Sequence, residues 1–302
     1  MMCRRCGSLL DAHPGLVMGR RAARYDDLVF RCERCGVGYS NATRQDARIE
    51  IAATPAGNVP PEVREGVDDA LAAAVNLDAR PGKAWKFCSA NSEDAVTWTV
   101  IRALEQTGQL DRVAAAVGLA DAIEASVPPR LLLWGAAARP SDPDAVAAEA
   151  LLTEVSIDLR EALERRSEPD VIVLWDDAVV VIEAKYKAAN DREKTGLRRF
   201  DRYLQRPDQW TATKDAVKAE GLYELVRNWV IACELAERSG ATHAVLANLA
   251  PAALAADITA FRALAATSST RRVEHIRWRS LLADPAPAWL ARYASELGLL
   301  TL

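Results

Sequence analysis

Two β-branched runs, Val171–Trp175 and Val179–Ile182, flank the polar pair Asp176-Asp177. Runs of this kind favour strands and the acidic pair favours a tight turn, so the pattern predicts a β-hairpin. With the turn centred between the two aspartates, paired positions sum to 353. Asp170 then lies across from Glu183, and Lys185 falls on the same face because strand side chains alternate with period two. Both strands are otherwise apolar on both faces, as expected at the centre of a covered sheet.

Around the hairpin the pattern changes to helical spacing. Ser92 is a predicted N-cap, with Glu93 and Asp94 in the first turn and Val96, Val100, Ile101 and Leu104 as an inner stripe. Arg130–Trp134 reads as a buried strand, and 144–166 as a helix. Long helices are predicted over 193–239, followed by a strand at His243–Leu249. A further helix, a strand over Val273–Trp278 and a last helix close the chain. Upstream, Thr54–Pro61 holds a glycine and three prolines and reads as a linker, with a short Ala-rich helix expected over Glu62–Val75.

Facing carboxylates repel unless a cation holds them. A divalent metal does this, and it also polarises a phosphate and lowers the pKa of bound water. An ammonium two residues along would stand beside the developing charge, an arrangement suited to phosphodiester hydrolysis. The competing reading is a hairpin with ordinary solvated charges at its strand ends. Only seven lysines occur in the chain, which makes a lysine at this spot a weightier coincidence.

Pro169-Asp170 and Glu183-Ala184-Lys185 resemble the "PD" and "(D/E)xK" elements of the PD-(D/E)XK nuclease superfamily. The longer string SEPDVIV…VVVIEAKY looks like a group of restriction endonucleases within it, with further similarity in NSEDAVTW, GLYELVRNW and AVLANLAP. The resemblance covers residues 86–290. It implies an α/β fold: a restriction-endonuclease-like core of order αβββαβ, with a mixed central sheet flanked by helices. It also implies Mg²⁺ on Asp170 and Glu183, with the Ala184 carbonyl as an added oxygen ligand and Lys185 as the catalytic lysine. Glu93 stands in the helix that in many relatives adds an acid to the site, and a favourable charge at a helix N-terminus explains it equally well. Asn190 belongs, by the same resemblance, to a loop at the site mouth.

Four of six cysteines form two knuckles, Cys3-Arg-Arg-Cys6-Gly and Cys32-Glu-Arg-Cys35-Gly. This is the form of a four-thiolate Zn²⁺ site, and the N-terminal segment reads as a zinc ribbon whose folding free energy comes largely from the metal. Two disulfides or a redox dithiol are the alternatives. His13 reads as a loop residue, and Cys88 and Cys233 as buried thiols. The domains expected are a ribbon over 1–48, a linker and short helix over 49–85, and the nuclease-like domain over 86–302.

Net charge is −4, which argues against an indiscriminate polyanion binder. Residues 1–48 nevertheless hold nine arginines against five acids. Those arginines suit phosphate contact or simply a solvated surface. On the predicted helix over 194–206, Arg198, Arg202 and Arg206 recur every four residues opposite Leu197, Phe200 and Leu204. Such a stripe could follow a phosphate backbone, and a solvated amphipathic helix would look the same. Tyr223, Glu224, Arg227, Asn228 and Trp229 lie in a helix that could buttress the catalytic strands or carry a structural ion pair, with Trp229 in the core.

No apolar run is long enough for a membrane span and no signal-peptide pattern opens the chain, so a cytoplasmic location without membrane contact is expected. The function expected is metal-dependent endonucleolytic hydrolysis of DNA, in restriction or host defence by resemblance alone, with a homodimer compatible. RNA or branched DNA remain open as substrates. A non-catalytic nucleic-acid-binding protein on a nuclease-like scaffold is the other alternative.

Overall fold

The computed structural model describes residues 2–12, 28–41, 49–74, 82–124, 127–162, 168–192, 200–282 and 286–302. Two compact units are present, Met1–Thr99 and Val100–Leu302. Among the described residues no helix is long and apolar enough to cross a membrane.

In the first unit, β1 (Asp11–Ala12), β2 (Phe30–Arg31), β3 (Gly38–Ser40) and β4 (Ile49–Ile51) form an antiparallel sheet in sequence order. The sheet therefore runs past position 48, where the ribbon was expected to end. Residues 88–90 extend it further, with Ala52 N–H donating to the Cys88 carbonyl at 2.7 Å and Ala90 N–H to the Glu50 carbonyl at 2.9 Å. The segment expected to be a linker is folded into 3-10 turns at Pro55–Asn58 and Pro61–Val63. Asn58 ties it down through hydrogen bonds to the carbonyls of Phe87 and Ser89 at 2.6 and 2.7 Å. Helix α1 (Val67–Ala74) starts later than the sequence pattern suggests, because Gly66 takes φ 80°, a left-handed conformation that breaks a helix. After α2 (Gly82–Phe87), the Ser92 hydroxyl accepts the Ala95 N–H at 3.2 Å and starts α3 (Glu93–Gln106), as its sequence predicts.

The second unit continues through α4 (Asp111–Ala116), β5 (Arg130–Leu133) and β6 (Ala136–Ala137) to α5 (Pro143–Asp158). Asp142 caps α5 by accepting the N–H groups of Asp144 and Ala145, with Pro143 pre-set for the first turn. The hairpin follows as β7 (Val171–Leu174) and β8 (Ala178–Ala184), then α6 (Lys214–Glu220), α7 (Tyr223–Ser239) and β9 (His243–Leu249). The chain ends with α8 (Ala255–Leu264), β10 (Arg271–Ile276), α9 (Trp278–Leu281) and α10 (Ala288–Glu296).

These strands make one mixed sheet of order β10-β9-β8-β7-β5-β6. Strands β8, β9 and β10 are mutually parallel, and β7, β5 and β6 add antiparallel neighbours. Val171 pairs with Ile182 and Leu174 with Val179, the predicted register. Helices α5 and α7 cover one face through a core that includes Leu152, Val155, Leu225, Trp229, Val181 and Leu246. Both edges are occupied. At β10, Arg262 donates twice to the Val273 carbonyl, at 2.9 and 2.6 Å, and at β6 the Glu149 carboxylate accepts the Ala137 N–H at 2.9 Å.

One expected helix is not continuous. From Phe200 onward the segment forms 3-10 turns at Tyr203–Gln205 and Pro207–Gln209 before α6. Pro207 disfavours helical backbone at Arg206, which sits at φ −103°, ψ 82°.

Candidate functional site

The register and the alternation of strand side chains together place three rows of the sheet on the face that α7 covers. Ile172, Val181, Leu246 and Val273 form one row, and Leu174, Val179 and Ala244 lie in the row beside it. All seven belong to the core beneath α5 and α7. On the other side of the Ile172 row the chemistry reverses: Glu183 pairs with Asn248, and Asn248 with His275. The β7 register, extended by one residue, sets Asp170 across from Glu183. A polar row thus crosses four adjacent strands where the apolar rows end.

Asp170 is fixed from two sides. Its Oδ2 accepts the Ala184 N–H at 2.8 Å, and its carbonyl accepts the Trp134 N–H at 3.1 Å. Trp134 is fully buried and holds φ 52° in the two-residue turn between β5 and β6. A bulky residue in that region is backbone strain, of order 1–3 kcal/mol, that the surrounding packing must over-determine.

Glu183 is buried, with 3% of its surface exposed, and both carboxylate oxygens are engaged. Lys185 Nζ lies 2.5 Å from Oε1. Asn228 Nδ2 donates to Oε2 at 2.7 Å, and an Arg227 guanidinium nitrogen stands 3.5 Å from the same oxygen. Arg227 Nε also donates to Asn228 Oδ1 at 2.9 Å, which orients the amide toward Glu183. Lys185 contacts a second acid, Glu224, at 2.9 Å. Burial pushes the Glu183 carboxyl up, against the pull of Lys185 and Arg227. At Glu224 burial is the largest influence and pushes upward too, but Lys185 and Arg227 together with hydrogen bonding outweigh it and hold the group below the usual carboxylate range. Helix α7 therefore supplies three residues, Glu224, Arg227 and Asn228, that converge on the strand pair.

Asn190 is buried, and its amide donates toward Asn248 at 3.3 Å and Asp257 at 3.1 Å. Asn248 in turn donates to the Glu183 carbonyl at 3.0 Å. The loop after β8 is thus tied to β9 and α8, and Asn190 faces the interior. Neither Asn248 nor His275 stands out by residue type. For Asn248 the available signal is position, since it follows the apolar run Ala244–Ala247 in its strand and a buried polar group needs a partner; β10, with Arg271 and Val273 before His275, offers no such signal. Asn248 has one, whereas both ring nitrogens of His275 are buried without a hydrogen bond. Burial, then the charge of Arg277, holds this imidazole below its ordinary pKa.

The arginines expected to form a stripe have other company. Arg206 donates to the Glu234 carboxylate at 2.8 and 3.3 Å, and Arg202 to the Arg160 carbonyl at 3.0 Å. Arg198 lies outside the described residues, as does His13. Glu93 occupies the first turn of α3, in the first unit.

In the first unit, Cys3, Cys6, Cys32 and Cys35 bring their sulfurs within 4.8 Å of one another, and all four are free thiols. The pairs Cys3–Cys35 and Cys6–Cys32 are 3.7 and 3.4 Å apart. A tetrahedral ion with Zn–S bonds of about 2.3 Å needs sulfurs about 3.8 Å apart. The cluster could therefore hold a structural metal such as zinc. Each knuckle closes with a glycine N–H bonded to the first cysteine's carbonyl, and Gly7 and Gly36 reach φ 72° and 71° to do so. The Tyr39 hydroxyl lies 3.3 Å from Cys3 Sγ. Although burial opposes it, this hydroxyl and the amides of Cys6 and Arg5 hold the Cys3 thiol below its usual pKa. Ser8 lowers Cys6 to about 6, whereas burial pushes Cys35 up to about 12. A bound cation would remove this asymmetry by making all four thiolates. Cys88 and Cys233 are buried thiols raised to about 11 and 12 by burial.

Compared with protein-family models, curated proteins and solved structures, the chain finds no match in any of the three.

Proposed function

We propose that the second unit is a metal-dependent endonuclease of the PD-(D/E)XK type that hydrolyses DNA phosphodiester bonds. One observation carries this reading: the β7–β8 register, which sets Asp170 across from Glu183 with Lys185 two residues along the same face. The order of the sheet supports it: β5, β7 and β8 are antiparallel neighbours, and a helix and a parallel β9 follow, in keeping with a restriction-endonuclease-like core, although β6 and α5 are inserted between β5 and β7.

The donor set suits a hard cation, because Asp170, Glu183 and the Ala184 carbonyl offer only oxygen. Bound Mg²⁺ would act as a Lewis acid on the phosphate and lower the pKa of a coordinated water. The chain's own residues do the rest. Asp170 and Glu183 would hold the ion, Asn228 and Arg227 keep Glu183 oriented, and the Lys185 ammonium would stabilise charge building on the phosphate oxygens in the transition state. No covalent protein intermediate is needed.

The test is incubation of the protein with supercoiled plasmid, single strands and RNA, with and without Mg²⁺, beside Glu183→Ala and Lys185→Ala. Nicking that requires Mg²⁺ and disappears in both variants is the expected result. Full-rate cutting by Glu183→Ala, or no turnover on any substrate, would sink the assignment, and preference for RNA would change the substrate.

A further inference from the structure

Lys185 sits between two carboxylates on different elements, Glu183 on β8 and Glu224 on α7. The shorter contact, 2.5 Å, goes to Glu183. The longer contact, 2.9 Å, is an ion pair with Glu224. Lys185 thus occupies one oxygen of the acid assigned to the metal. A divalent cation on this oxygen would meet the ammonium at short range, and like-charge repulsion favours the ammonium's withdrawal.

Withdrawal into an apolar wall would be prohibitive, because the lysine side chain is only 7% exposed and a buried charge without a partner is strongly disfavoured. Glu224 removes that obstacle. Its side chain is 29% exposed, so it is only partly enclosed, and it already touches the ammonium. Glu183, for its part, keeps Asn228 and Arg227 on its other oxygen. An exchange of Lys185 from Glu183 to Glu224 leaves every buried charge paired throughout. Charge balance points the same way. Asp170, Glu183 and Glu224 against Lys185 and Arg227 leave one net negative charge, which a divalent cation turns positive before an anionic phosphodiester arrives.

We propose that Glu224 is a positioning residue that takes over Lys185 when Glu183 is given up to a divalent cation, keeping the ammonium charged and beside the reaction centre. This rests on the metal-site reading above. It makes lysine and metal competitors for Glu183, with Glu224 setting the outcome.

Competition is measured by Mn²⁺ binding, read by the electron paramagnetic resonance of free Mn²⁺ and by calorimetry, on full-length protein with its cysteine site filled with zinc. Four proteins are compared: wild type, Glu224→Gln, Lys185→Met and the double variant. Glu224→Gln should weaken Mn²⁺ binding about tenfold, as outer partners of metal ligands commonly do. Lys185→Met should bind at least as tightly as wild type, and adding Glu224→Gln to it should change the constant less than twofold. If Glu224→Gln weakens binding equally in both backgrounds, Glu224 is itself a ligand and the exchange is wrong. If it has no effect in wild type, Glu224 does not govern the lysine. Absence of Mn²⁺ binding in both wild type and Lys185→Met overturns the metal-site reading, and this inference with it.

Discussion

Asp170 Oδ2 accepts the backbone N–H of Ala184 at 2.8 Å, so the acid before β7 is fastened to the residue after Glu183 on β8. Its two duties can be separated. Asp170→Asn keeps an oxygen for the Ala184 N–H, and Asp170→Ala does not. Both should lose cleavage by several orders of magnitude, while only the alanine variant should lose stability, by about 1 kcal/mol in denaturant melts. An asparagine variant that still cuts at the wild-type rate would show that the carboxylate serves the fold alone.

The cysteine cluster should carry about one zinc per chain by elemental analysis. Because the metal-free Cys35 thiol is pushed up to about 12, it keeps its proton at neutral pH, whereas Cys6 at about 6 is already mostly thiolate. Zinc uptake must therefore release at least the Cys35 proton, and affinity should fall as pH falls. Calorimetry in two buffers of different ionisation enthalpy measures that release. Cys32→Ser should disorder the ribbon, seen as loss of zinc and of amide protection there, without changing the unfolding transition of residues 100–302.

Arg202 and Arg206 should separate on DNA. Arg206 neutralises Glu234, whose side chain is 9% exposed, so Arg206→Ala should lower stability and leave the salt dependence of binding unchanged. Arg202 is held only by a carbonyl in its described contacts. Its replacement by alanine should flatten the slope of log affinity against log salt by about one unit if it meets a phosphate. Equal slopes for wild type and Arg202→Ala would remove it from the binding surface.

His275 should make stability depend on mildly acid pH. Its folded-state pKa lies below the ordinary 6.5, so above 6.5 the ring is neutral whether the chain is folded or not. As pH falls below that value the unfolded chain takes up the proton first, and stability is lost down to the folded pKa. Denaturant midpoints measured from pH 7 to about pH 5 should fall less steeply for His275→Gln than for wild type. Identical slopes would mean that the ring is effectively solvated.

The hairpin was legible because its register has a local cause. Two β-branched runs around an acidic pair leave little freedom, and the pairing of Val171 with Ile182 follows. Capping by Ser92 and the span of β9 were legible for similar reasons of short range. What escaped depends on distant partners. The spacing of Glu224, Arg227 and Asn228 shows that they share a helix face, but not that the face meets Glu183, which is decided by the packing of α7 on the sheet. Over 194–206 the arginine periodicity does not carry a helix through Arg206, because Pro207 disfavours helical backbone there. His275 gave no signal of its own, because its row exists only after three strands are aligned.

The occupied margins of the large sheet restrict how this chain can assemble. Growth by a seventh strand at β10 would have to displace the Arg262 guanidinium from the Val273 carbonyl, and growth at β6 the Glu149 carboxylate from the Ala137 amide. Both are charge-assisted bonds, stronger than the neutral ladder bond that would replace them. The sheet is thus protected against endless lateral stacking. Two copies that paired side by side would therefore gain more through helices or loops than through these sheet edges, and each would keep its polar row within its own sheet.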